Sequence, residues 1–445
     1  MADLANLLVR NVTRLDPGKP AQQVDMVIEE GLLAAIEPIT WSGAARAQRR
    51  GRLTVIDARN MYVAPGFIDL HTHLRDPGQR QQETIATGAL AAAAGGFTTI
   101  IAMANTDPPV DSVRTLELVQ EKARSVPVRV HSVGAVTHYL EGFELTDLES
   151  LAAAGAVGFS DDGRNAYPLD LATEAMARAG RLQRPVMVHA QDEMACPDGQ
   201  AHPGVASRAR LEPWPCSAEV SAVKQAIEAC RRSGGRLHLQ HLSCARSIEL
   251  LARARDQDLP VTAEATPHHM VLTDSRVIRE GQPDPQAKVN PPLRPESDRR
   301  AVVQAVNDGL IDAIATDHAP HERGSKQLPF ARSSFGFSGL ETALALCLEV
   351  VERGELSMTR MVEALTVGPW NCLRDSLPQP EPAMRIGQPA DLVFFENRAL
   401  WVVDPENFQS LGKNTPLAGR EMHGRAILTI AGGQVVHNEW YAGFR

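Results

Sequence analysis

Two histidines separated by one residue, His71 and His73, are the first side chains in this sequence whose type and spacing could perform chemistry. They follow an apolar run, and in an extended strand residues i and i+2 point to the same side. Neutral imidazoles commonly bind zinc and similar divalent ions, so the pair predicts two ligands of one metal. Because a lone pair of this kind is more often a surface or core feature, the prediction depends on further ligands elsewhere.

Further residues of ligand type follow other apolar runs. They are Asp161, Asp162, His189, His241 and Asp317. A metal-bound water loses a proton near neutral pH, and the metal also polarises a carbonyl group. A carboxylate beside that water can carry the proton, so we expect Asp317 to be both a ligand and the general acid/base. The alternative for Asp317 is a helix N-cap at the same place.

Two neighbouring metals need an anionic bridge, and many barrel enzymes use a carboxylated lysine after the fourth strand. The fourth strand is expected at residues 156–159. The sequence excludes a carboxylated lysine there, because none of its six lysines lies between residues 123 and 223. Asp161 and Asp162 lie there instead, and a carboxylate has two oxygens with which to bridge two cations. We favour Asp162 as the bridge, and the alternative for either residue is a turn cap before Gly163.

The middle of the chain alternates short apolar runs, rich in β-branched residues, with helical patterns. The runs are 64–69, 98–104, 128–136, 156–159, 185–188, 237–242, 260–265 and 312–315. The helical patterns include 83–94, 113–123, 169–179, 218–231 and 247–254. Such alternation predicts parallel strands joined by crossovers, and eight units close an α/β barrel of the (β/α)8 TIM type. An open doubly wound sheet is the alternative, but the Gly-rich phosphate turn expected after its first strand is missing.

The barrel prediction also positions the chemistry, because such barrels carry their reactive side chains at the carboxyl ends of strands. The candidate ligands follow the first, fourth, fifth, sixth and eighth runs. Both chain ends show short strand patterns instead of this alternation. We expect them to pair into a small β-sandwich domain, made of residues 1–62 and 386–445, beside a catalytic barrel at 63–385.

The composition is that of an ordinary globular protein, with 43% hydrophobic and 22% charged residues. A net charge of −9 argues against a nucleic-acid partner, which would need a basic face. The uncharged stretch 84–106 is broken by Gly95 and Gly96, and it predicts a helix and a buried strand rather than a membrane span. The first residues lack a signal-peptide pattern and the six cysteines form no CxxC pair. We therefore expect a cytoplasmic protein with reduced thiols.

Longer motifs around these residues resemble those of the dihydroorotase family. Residues 66–78 (GFIDLHTHLRDPG) resemble its first signature, and 315–321 (ATDHAPH) its second. The segments 95–99 (GGFTT), 105–106 (NT), 161–163 (DDG), 262–269 (TAEATPHH) and 290–294 (NPPLR) are also similar. The similarity covers nearly the whole chain. It is closest to the longer type, in which Asp rather than carboxylated lysine is the bridge.

The resemblance implies a reaction and its cofactor. The reaction is the reversible cyclisation of N-carbamoyl-L-aspartate to L-dihydroorotate and water in pyrimidine biosynthesis, with one or two Zn²⁺ ions per subunit. The ligands that it implies are His71, His73 and Asp317 for one metal, Asp162 as the bridge, and His189 and His241 for the second metal.

The small-molecule substrate carries a carboxylate on a small polar ring, so its pocket needs a cation and directed hydrogen bonds. Arg75 lies two residues after His73, on the same face, and can reach that anion. The resemblance adds Asn105 and His321 to Arg75 as carboxylate contacts, and His73 also faces the substrate. It implies Asn290 and the Phe335-Gly336 backbone as ring contacts. The alternative for Asn105 and Asn290 is a turn residue.

The sequence departs from the family pattern at three places. Ala190-Gln191-Asp192 replaces the usual Cys-Glu-Asp, Leu242-Ser243-Cys244 replaces Val-Ser-Thr, and Ala104 stands where Pro is usual. None of these residues is a candidate ligand. They bear instead on the hydrogen bonds behind the ligands, which tune metal affinity.

Two other functions fit part of the pattern. Another cyclic-amide hydrolase, such as a hydantoinase or allantoinase, would share the fold and metals but normally uses the bridging lysine. An inactive scaffold for aspartate transcarbamoylase would be expected to have lost ligands, and all six are present. The sequence leaves open a homodimer and a complex of the active enzyme with aspartate transcarbamoylase.

Overall fold

The computed structural model describes residues 4–38, 53–164 and 168–440. The strands in these ranges are β1 (Leu7–Arg14), β2 (Gln22–Glu29), β3 (Leu32–Pro38), β4 (Thr54–Asp57), β5 (Met61–Pro65), β6 (Phe67–Thr72), β7 (Phe97–Ala102), β8 (Arg129–Ser132), β9 (Val186–Val188), β10 (Leu237–Leu239), β11 (Val261–Ala265), β12 (Ile278–Arg279), β13 (Gln282–Pro283), β14 (Ala313–Ile314), β15 (Leu392–Val402), β16 (Glu421–Ala431) and β17 (Gln434–Asn438). The α-helices are α1 (Ile85–Ala94), α2 (Val113–Ala123), α3 (Leu148–Ala153), α4 (Leu169–Arg181), α5 (Pro203–Ala209), α6 (Cys216–Ser233), α7 (Ala245–Arg255), α8 (Pro267–Val271), α9 (Glu296–Asn307), α10 (Arg323–Gln327), α11 (Leu340–Glu352), α12 (Met358–Leu365) and α13 (Val367–Leu373). Of the predicted section 1–62, residues 1–3 and 39–52 lie outside the described ranges, and the predicted domain bounds stay predictions.

Parallel strands form the barrel that the alternating pattern predicted. One sheet has the order β6-β7-β8 and another β14-β11-β10-β9, with every neighbour parallel. Single parallel bridges join these sheets, from Gly134 to Phe159, from Phe159 to Val186, and from Thr72 to His318. The strands therefore close into a ring, and α-helices lie in the connections between them, as in a (β/α)8 barrel.

The fourth strand is shorter than the run 156–159 predicted, because within that run only Phe159 bridges to both neighbours. The side chain of Asp161 lies just beyond this strand and takes up backbone groups of the neighbouring segment. Its carboxylate accepts hydrogen bonds from the backbone N–H groups of Val136 at 2.7 Å and Thr137 at 3.1 Å. These N–H groups are therefore taken up by a side chain instead of a longer strand ladder. The chain then turns at Gly163, whose φ is 84°.

Both chain ends contribute to one eight-stranded sheet, as the sequence predicted. Its order is β17-β16-β15-β5-β1-β2-β3, and β4 pairs with β1. The sheet folds over a core of its own, in which Val9 and Met26 from the N-terminal strands cluster with Phe394 and Ile430 from the C-terminal strands. This is the packing of a small β-sandwich, and its core is distinct from that of the barrel.

The uncharged stretch 84–106 folds as the helix α1 and the buried strand β7, as predicted. Thr84 caps the helix: its hydroxyl accepts a hydrogen bond from the Thr87 N–H at 3.0 Å, and the Thr87 hydroxyl accepts one from the Thr84 N–H at 3.1 Å. Among the described residues, no helix combines the length and the apolar character that a membrane crossing requires.

Candidate metal centre

The candidate ligands all lie at the carboxyl ends of barrel strands. His71 is in β6 and His73 follows that strand directly, while His189 and His241 come just after β9 and β10 and Asp317 after β14. The backbone φ angles of His241 and Asp317 are 32° and 49°. This left-handed region is unfavourable for residues other than glycine, and it is typical of functional sites where the surrounding structure holds the backbone in place.

The first group of ligand atoms joins the first strand to the last. His73 Nε2 lies 3.1 Å from Asp317 Oδ1, and His71 Nε2 lies 3.7 Å from the same oxygen. All three side chains are buried. Two imidazole nitrogens and a carboxylate oxygen thus converge on one small space, which is a donor set for a divalent cation.

Asp162 stands between this group and a second pair of histidines. Its Oδ1 lies 3.3 Å from His71 Nε2, 3.3 Å from His189 Nδ1 and 3.8 Å from His241 Nε2. Its Oδ2 lies 3.4 Å from His73 Nε2. The carboxylate of Asp161 faces away, on the backbone N–H groups of Val136 and Thr137. The geometry therefore favours Asp162 over Asp161 as a bridging group.

Ring nitrogens also converge in the second pair, where His189 Nδ1 and His241 Nε2 are 2.9 Å apart. Two buried atoms of the centre, His71 Nε2 and Asp162 Oδ1, have no hydrogen-bond partner among the described residues. Buried polar atoms without partners are costly and rare. A donor set of imidazoles and carboxylates whose facing atoms lack protein partners fits a bound cation, so these residues fit the metal that the sequence predicts.

The charges at the centre keep both aspartates ionised. Burial alone would raise the pKa of Asp162, but the neighbouring histidines His71, His189 and His241 lower it well below its ordinary value. Burial alone would also raise the pKa of Asp317, but the hydrogen bond with His73 and the charges of nearby histidines lower it. Ionised carboxylates are the form that binds a cation.

A buried carboxylate that the sequence analysis missed, Glu264, holds His71 in place. Its Oε1 lies 2.8 Å from His71 Nδ1, and its Oε2 lies 3.0 Å from Nε2 of His238, which the sequence did not distinguish from an ordinary histidine. Burial alone would raise the pKa of Glu264, but the hydrogen bonds with His238 and His71 lower it to about 2. The carboxylate fixes the His71 ring so that Nε2 faces the centre. Its one sequence signal was its place in the segment 262–269.

Asn105, predicted as a substrate contact, lies against the ligands themselves. Its Oδ1 is 2.9 Å from His73 Nδ1, and its Nδ2 is 3.3 Å from the Asp162 carbonyl oxygen. The contact with Oδ1 orients the His73 ring with Nε2 toward Asp317. The structure therefore places Asn105 where it can position ligands, beside the space where substrate would bind.

The departure at Gln191 proves to be part of the centre. Gln191 Oε1 lies 3.0 Å from His189 Nε2 and accepts a hydrogen bond from Asn290 Nδ2, also at 3.0 Å. The carboxamide thus orients the His189 ring and connects it to Asn290, a predicted ring contact. The other side-chain atom, Asn290 Oδ1, is buried without a partner among the described residues. Sequence reasoning noted Gln191 as a departure but did not predict this contact.

The remaining predicted substrate contacts line the same end of the barrel. His321 Nε2 donates to the carbonyl of Phe335 at 2.6 Å, and burial, followed by the charge of Arg75, lowers the pKa of His321 to about 3. Gly336 has a φ of 98°, and a Cβ there would lie 2.4 Å from that of Ala319, so only glycine fits. Burial lowers the pKa of Arg75 to about 10, so this side chain remains a cation at neutral pH.

A parallel barrel that carries four histidines and two aspartates at the carboxyl ends of its strands defines the class of metal-dependent amidohydrolases. The structure of an L-hydantoinase (dihydropyrimidinase) from Arthrobacter aurescens is similar, with a TM-score of 0.82 and 25% identity over 99% of this chain and 97% of that one. The dihydropyrimidinase from Brevibacillus agri shares the fold, with a TM-score of 0.80 and 23% identity over 98% and 95% of the two chains.

Sequence comparison narrows the class to one family. The family model described as dihydro-orotase-like matches residues 61–247. A dihydroorotase of Anaeromyxobacter dehalogenans (strain 2CP-1) is 42% identical over 94% of this chain and 96% of its own length. The dihydroorotase of Aquifex aeolicus is 34% identical over 98% of this chain and 100% of its own length. The chain therefore belongs to the dihydroorotase family and is a cyclic-amide hydrolase.

Proposed function

We propose that this enzyme catalyses the reversible cyclisation of N-carbamoyl-L-aspartate to L-dihydroorotate and water, as a step of pyrimidine biosynthesis. The convergence of four histidines on the two oxygens of Asp162, at distances of 3.3 to 3.8 Å, is the observation that carries the proposal. It provides a site for activating water near the cation Arg75, and the family membership supplies the substrate.

Zinc is the metal of this proposal, since imidazole and carboxylate donors suit it. The residues that would hold it are His71, His73 and Asp317 on one side, Asp162 as the bridge, and His189 and His241 on the other side. When bound, zinc lowers the pKa of a water and polarises the ring carbonyl that the water attacks.

Asp317 moves the proton in this mechanism. In the ring-opening direction, water adds to the carbonyl carbon of the ring amide and the bond from that carbon to the ring nitrogen breaks. Asp317 takes the proton of the water and delivers it to the leaving nitrogen, so the carboxylate is ionised again at the end. Burial alone would raise the pKa of Asp317, but the hydrogen bond with His73 and the nearby histidine charges lower it, so the carboxylate is ionised and has room for the proton.

The partners of the side chains support a set of substrate contacts. Arg75 is the cation for the substrate carboxylate in this proposal, and Asn105 is a second contact. The Nε2 of His321 already donates to a carbonyl and its ring is neutral, so its Nδ1 is an acceptor and suits a substrate N–H better than an anion. Asn290 and the Phe335-Gly336 backbone are the ring contacts of the proposal.

One assay tests the reaction. The purified protein would be given L-dihydroorotate, with and without a chelator, while ring opening is followed in the ultraviolet. We expect a metal-dependent loss of dihydroorotate. Opening of hydantoin or allantoin instead would assign the chain to those activities, and the absence of any ring opening by a metal-loaded protein would indicate a scaffold.

The proposal includes a cytoplasmic location and leaves two partners as predictions, a homodimer and a complex with aspartate transcarbamoylase. Both can be tested by light scattering after gel filtration. The protein would be run alone and then mixed with the transcarbamoylase of the same source. If this protein elutes with the mass of one chain both alone and in the mixture, both predictions are contradicted.

A further inference from the structure

A second cluster of metal-binding side chains lies outside the barrel centre, among the helices at the same end of the barrel. The sulfur atoms of Cys216 and Cys244 and a carboxylate oxygen of Asp298 all lie within 4.8 Å of one another. The proposed function uses none of these three residues. The sequence analysis treated the cysteines as ordinary reduced thiols, and the structure contains no disulfide among them.

A histidine, His202, lies next to this cluster. Cys244 and His202 are both close enough to Cys216 to lower the pKa of its thiol, which burial alone would raise. The Nδ1 atom of His202 is buried without a hydrogen-bond partner among the described residues, 3.3 Å from a carboxylate oxygen of Asp274. We refer to Cys216, Cys244 and Asp298 as the thiol cluster.

Three helices begin at the thiol cluster. Cys216 is the first residue of α6, Cys244 is the N-cap of α7, and Asp298 lies in the first turn of α9. Helix N-termini carry partial positive charge, which favours thiolates and carboxylates. The nearby Cys244, followed by His202, lowers the pKa of Cys216 below its ordinary value. Burial raises the pKa of Cys244, and the buried cation Arg294 acts in the opposite direction on both thiols.

We propose that the thiol cluster binds a thiophilic divalent cation of the zinc type, separate from the metals of the barrel centre. Thiolates and carboxylates are both zinc ligands, and a four-coordinate zinc held by three protein groups keeps its fourth position for water or another group. Donors around a tetrahedral zinc lie about 3.3 to 3.8 Å apart, given metal–ligand distances of about 2.0 to 2.3 Å. The observed spread of up to 4.8 Å therefore needs a contraction of about 1 Å, and the partly exposed Cys216 leaves a path for the ion to enter.

The bound cation would stabilise the segment that carries one barrel ligand. Cys244 lies three residues after His241, and Ser243 between them accepts a hydrogen bond from Arg294 Nε at 3.1 Å. Ser243 also donates to the buried carboxylate of Glu219. A cation that fixes Cys244 against α6 and α9 would hold this segment from outside the barrel, so its function would be structural.

Cobalt substitution tests the proposal independently of catalysis. The full chain would be purified with reductant, stripped by a chelator and reloaded with Co²⁺. Thiolate ligands give Co²⁺ an intense charge-transfer absorption in the near ultraviolet, which imidazole and carboxylate ligands do not give. We expect this band in the parent protein and in Asp162→Asn, and we expect its loss in the Cys216→Ser/Cys244→Ser double variant. Zinc analysis of the double variant should show one ion fewer per chain than the parent.

Two controls keep the test decisive. Cys196→Ser removes a buried thiol outside the cluster and should leave the band unchanged. Cys216→Ser alone, at the partly exposed first residue of a helix, replaces the double variant if that variant fails to fold, and it should at least weaken the band. No band in the parent, an unchanged band in both serine variants, or a metal-free Cys216–Cys244 disulfide in protein isolated without reductant would each overturn the proposal.

Discussion

The two histidine pairs of the barrel centre differ in what lies behind them. On the first side, His71 contacts the ionised carboxylate of Glu264, which is itself held by His238. On the second side, the Nε2 atom of His189 contacts the neutral carboxamide of Gln191, and the Nδ1 atom of His241 is buried without a partner among the described residues. The two pairs of imidazoles are alike, but the groups behind them are not, and Asp317 lies on the first side.

This difference bears on metal affinity. A carboxylate behind a histidine raises the basicity of the imidazole and fixes its orientation, and removing such a partner typically lowers metal affinity or activity by 10- to 100-fold. A carboxamide provides the orientation without the charge. We therefore expect the metal on the His71 side to bind more tightly than the metal on the His189 side.

Replacing the group that both sides share should have the largest effect. In Asp162→Asn the bridge loses its charge and one of its two oxygens, so we expect kcat/KM to fall on the order of 1000-fold or more, which is about 4 kcal/mol of transition-state stabilisation. Steady-state kinetics would measure the loss of activity, and metal analysis would measure the loss of bound metal. Asp161→Asn is the matched control, because that carboxylate holds backbone N–H groups, and it should retain metal while unfolding at a lower temperature. The reverse pattern would make Asp161 the bridge.

Removing the charge behind His71 should reduce the difference in metal affinity between the two sides of the centre. We expect Glu264→Gln to lower metal affinity on that side by about 10- to 100-fold, because a carboxamide replaces the carboxylate. Zinc affinity would be measured by competition with a chromogenic chelator. Glu341→Gln is the control: that half-buried carboxylate accepts hydrogen bonds from the N–H groups of Gln409 and Ser410 instead of from a ligand. Equal affinities in the two variants would rule out a positioning role for Glu264.

A chelator should remove the metals in two steps. The ion held by His189 and His241 should leave first, at a chelator concentration about tenfold or more below that needed for the second ion, if the missing carboxylate has the usual effect. Metal content and activity would be followed through the titration. Simultaneous loss of both ions would mean that the supports do not distinguish the two sides.

The smallest expected effect is a gain in metal affinity on the His189 side. Gln191→Glu places a carboxylate behind His189 and should raise metal affinity on that side by about tenfold, which narrows the gap between the two steps of the chelator titration. The same change replaces the partner of Asn290 by a charged one, so KM for dihydroorotate should also be compared. Unchanged chelation would show that orientation, and not charge, is what the support at His189 provides.

The convergence of the candidate ligands could be predicted from the sequence because each belongs to a local pattern. An apolar run followed by His or Asp predicts a barrel strand and its carboxyl end together. Candidate ligands follow five of the eight runs, and the closed barrel brings these ends together. The supports have no local pattern. Glu264 and His71 are 193 residues apart, and Gln191 and Asn290 are 99 apart, so their contacts follow only from how the side chains pack.

The choice between Asp161 and Asp162 also depends on contacts that have no local sequence pattern. Adjacent residues of one type in a turn have equivalent sequence signals. What separates them is that the Asp161 carboxylate is occupied by the N–H groups of Val136 and Thr137, some 25 residues away. The shortness of the fourth strand could not be predicted from the apolar run alone either.

The bridge between Thr72 and His318 closes the barrel, and the His73 N–H donates to the His318 carbonyl at 2.8 Å beside it. A cation shared by His73 and Asp317 would join residues 244 positions apart in the chain, across this junction of the first and last strands. Such an ion acts as a reversible cross-link around the whole barrel, in addition to its chemical role. The metal-free protein should therefore exchange its amide hydrogens fastest along β6 and β14, and zinc supply would govern the lifetime of the folded enzyme as well as its activity.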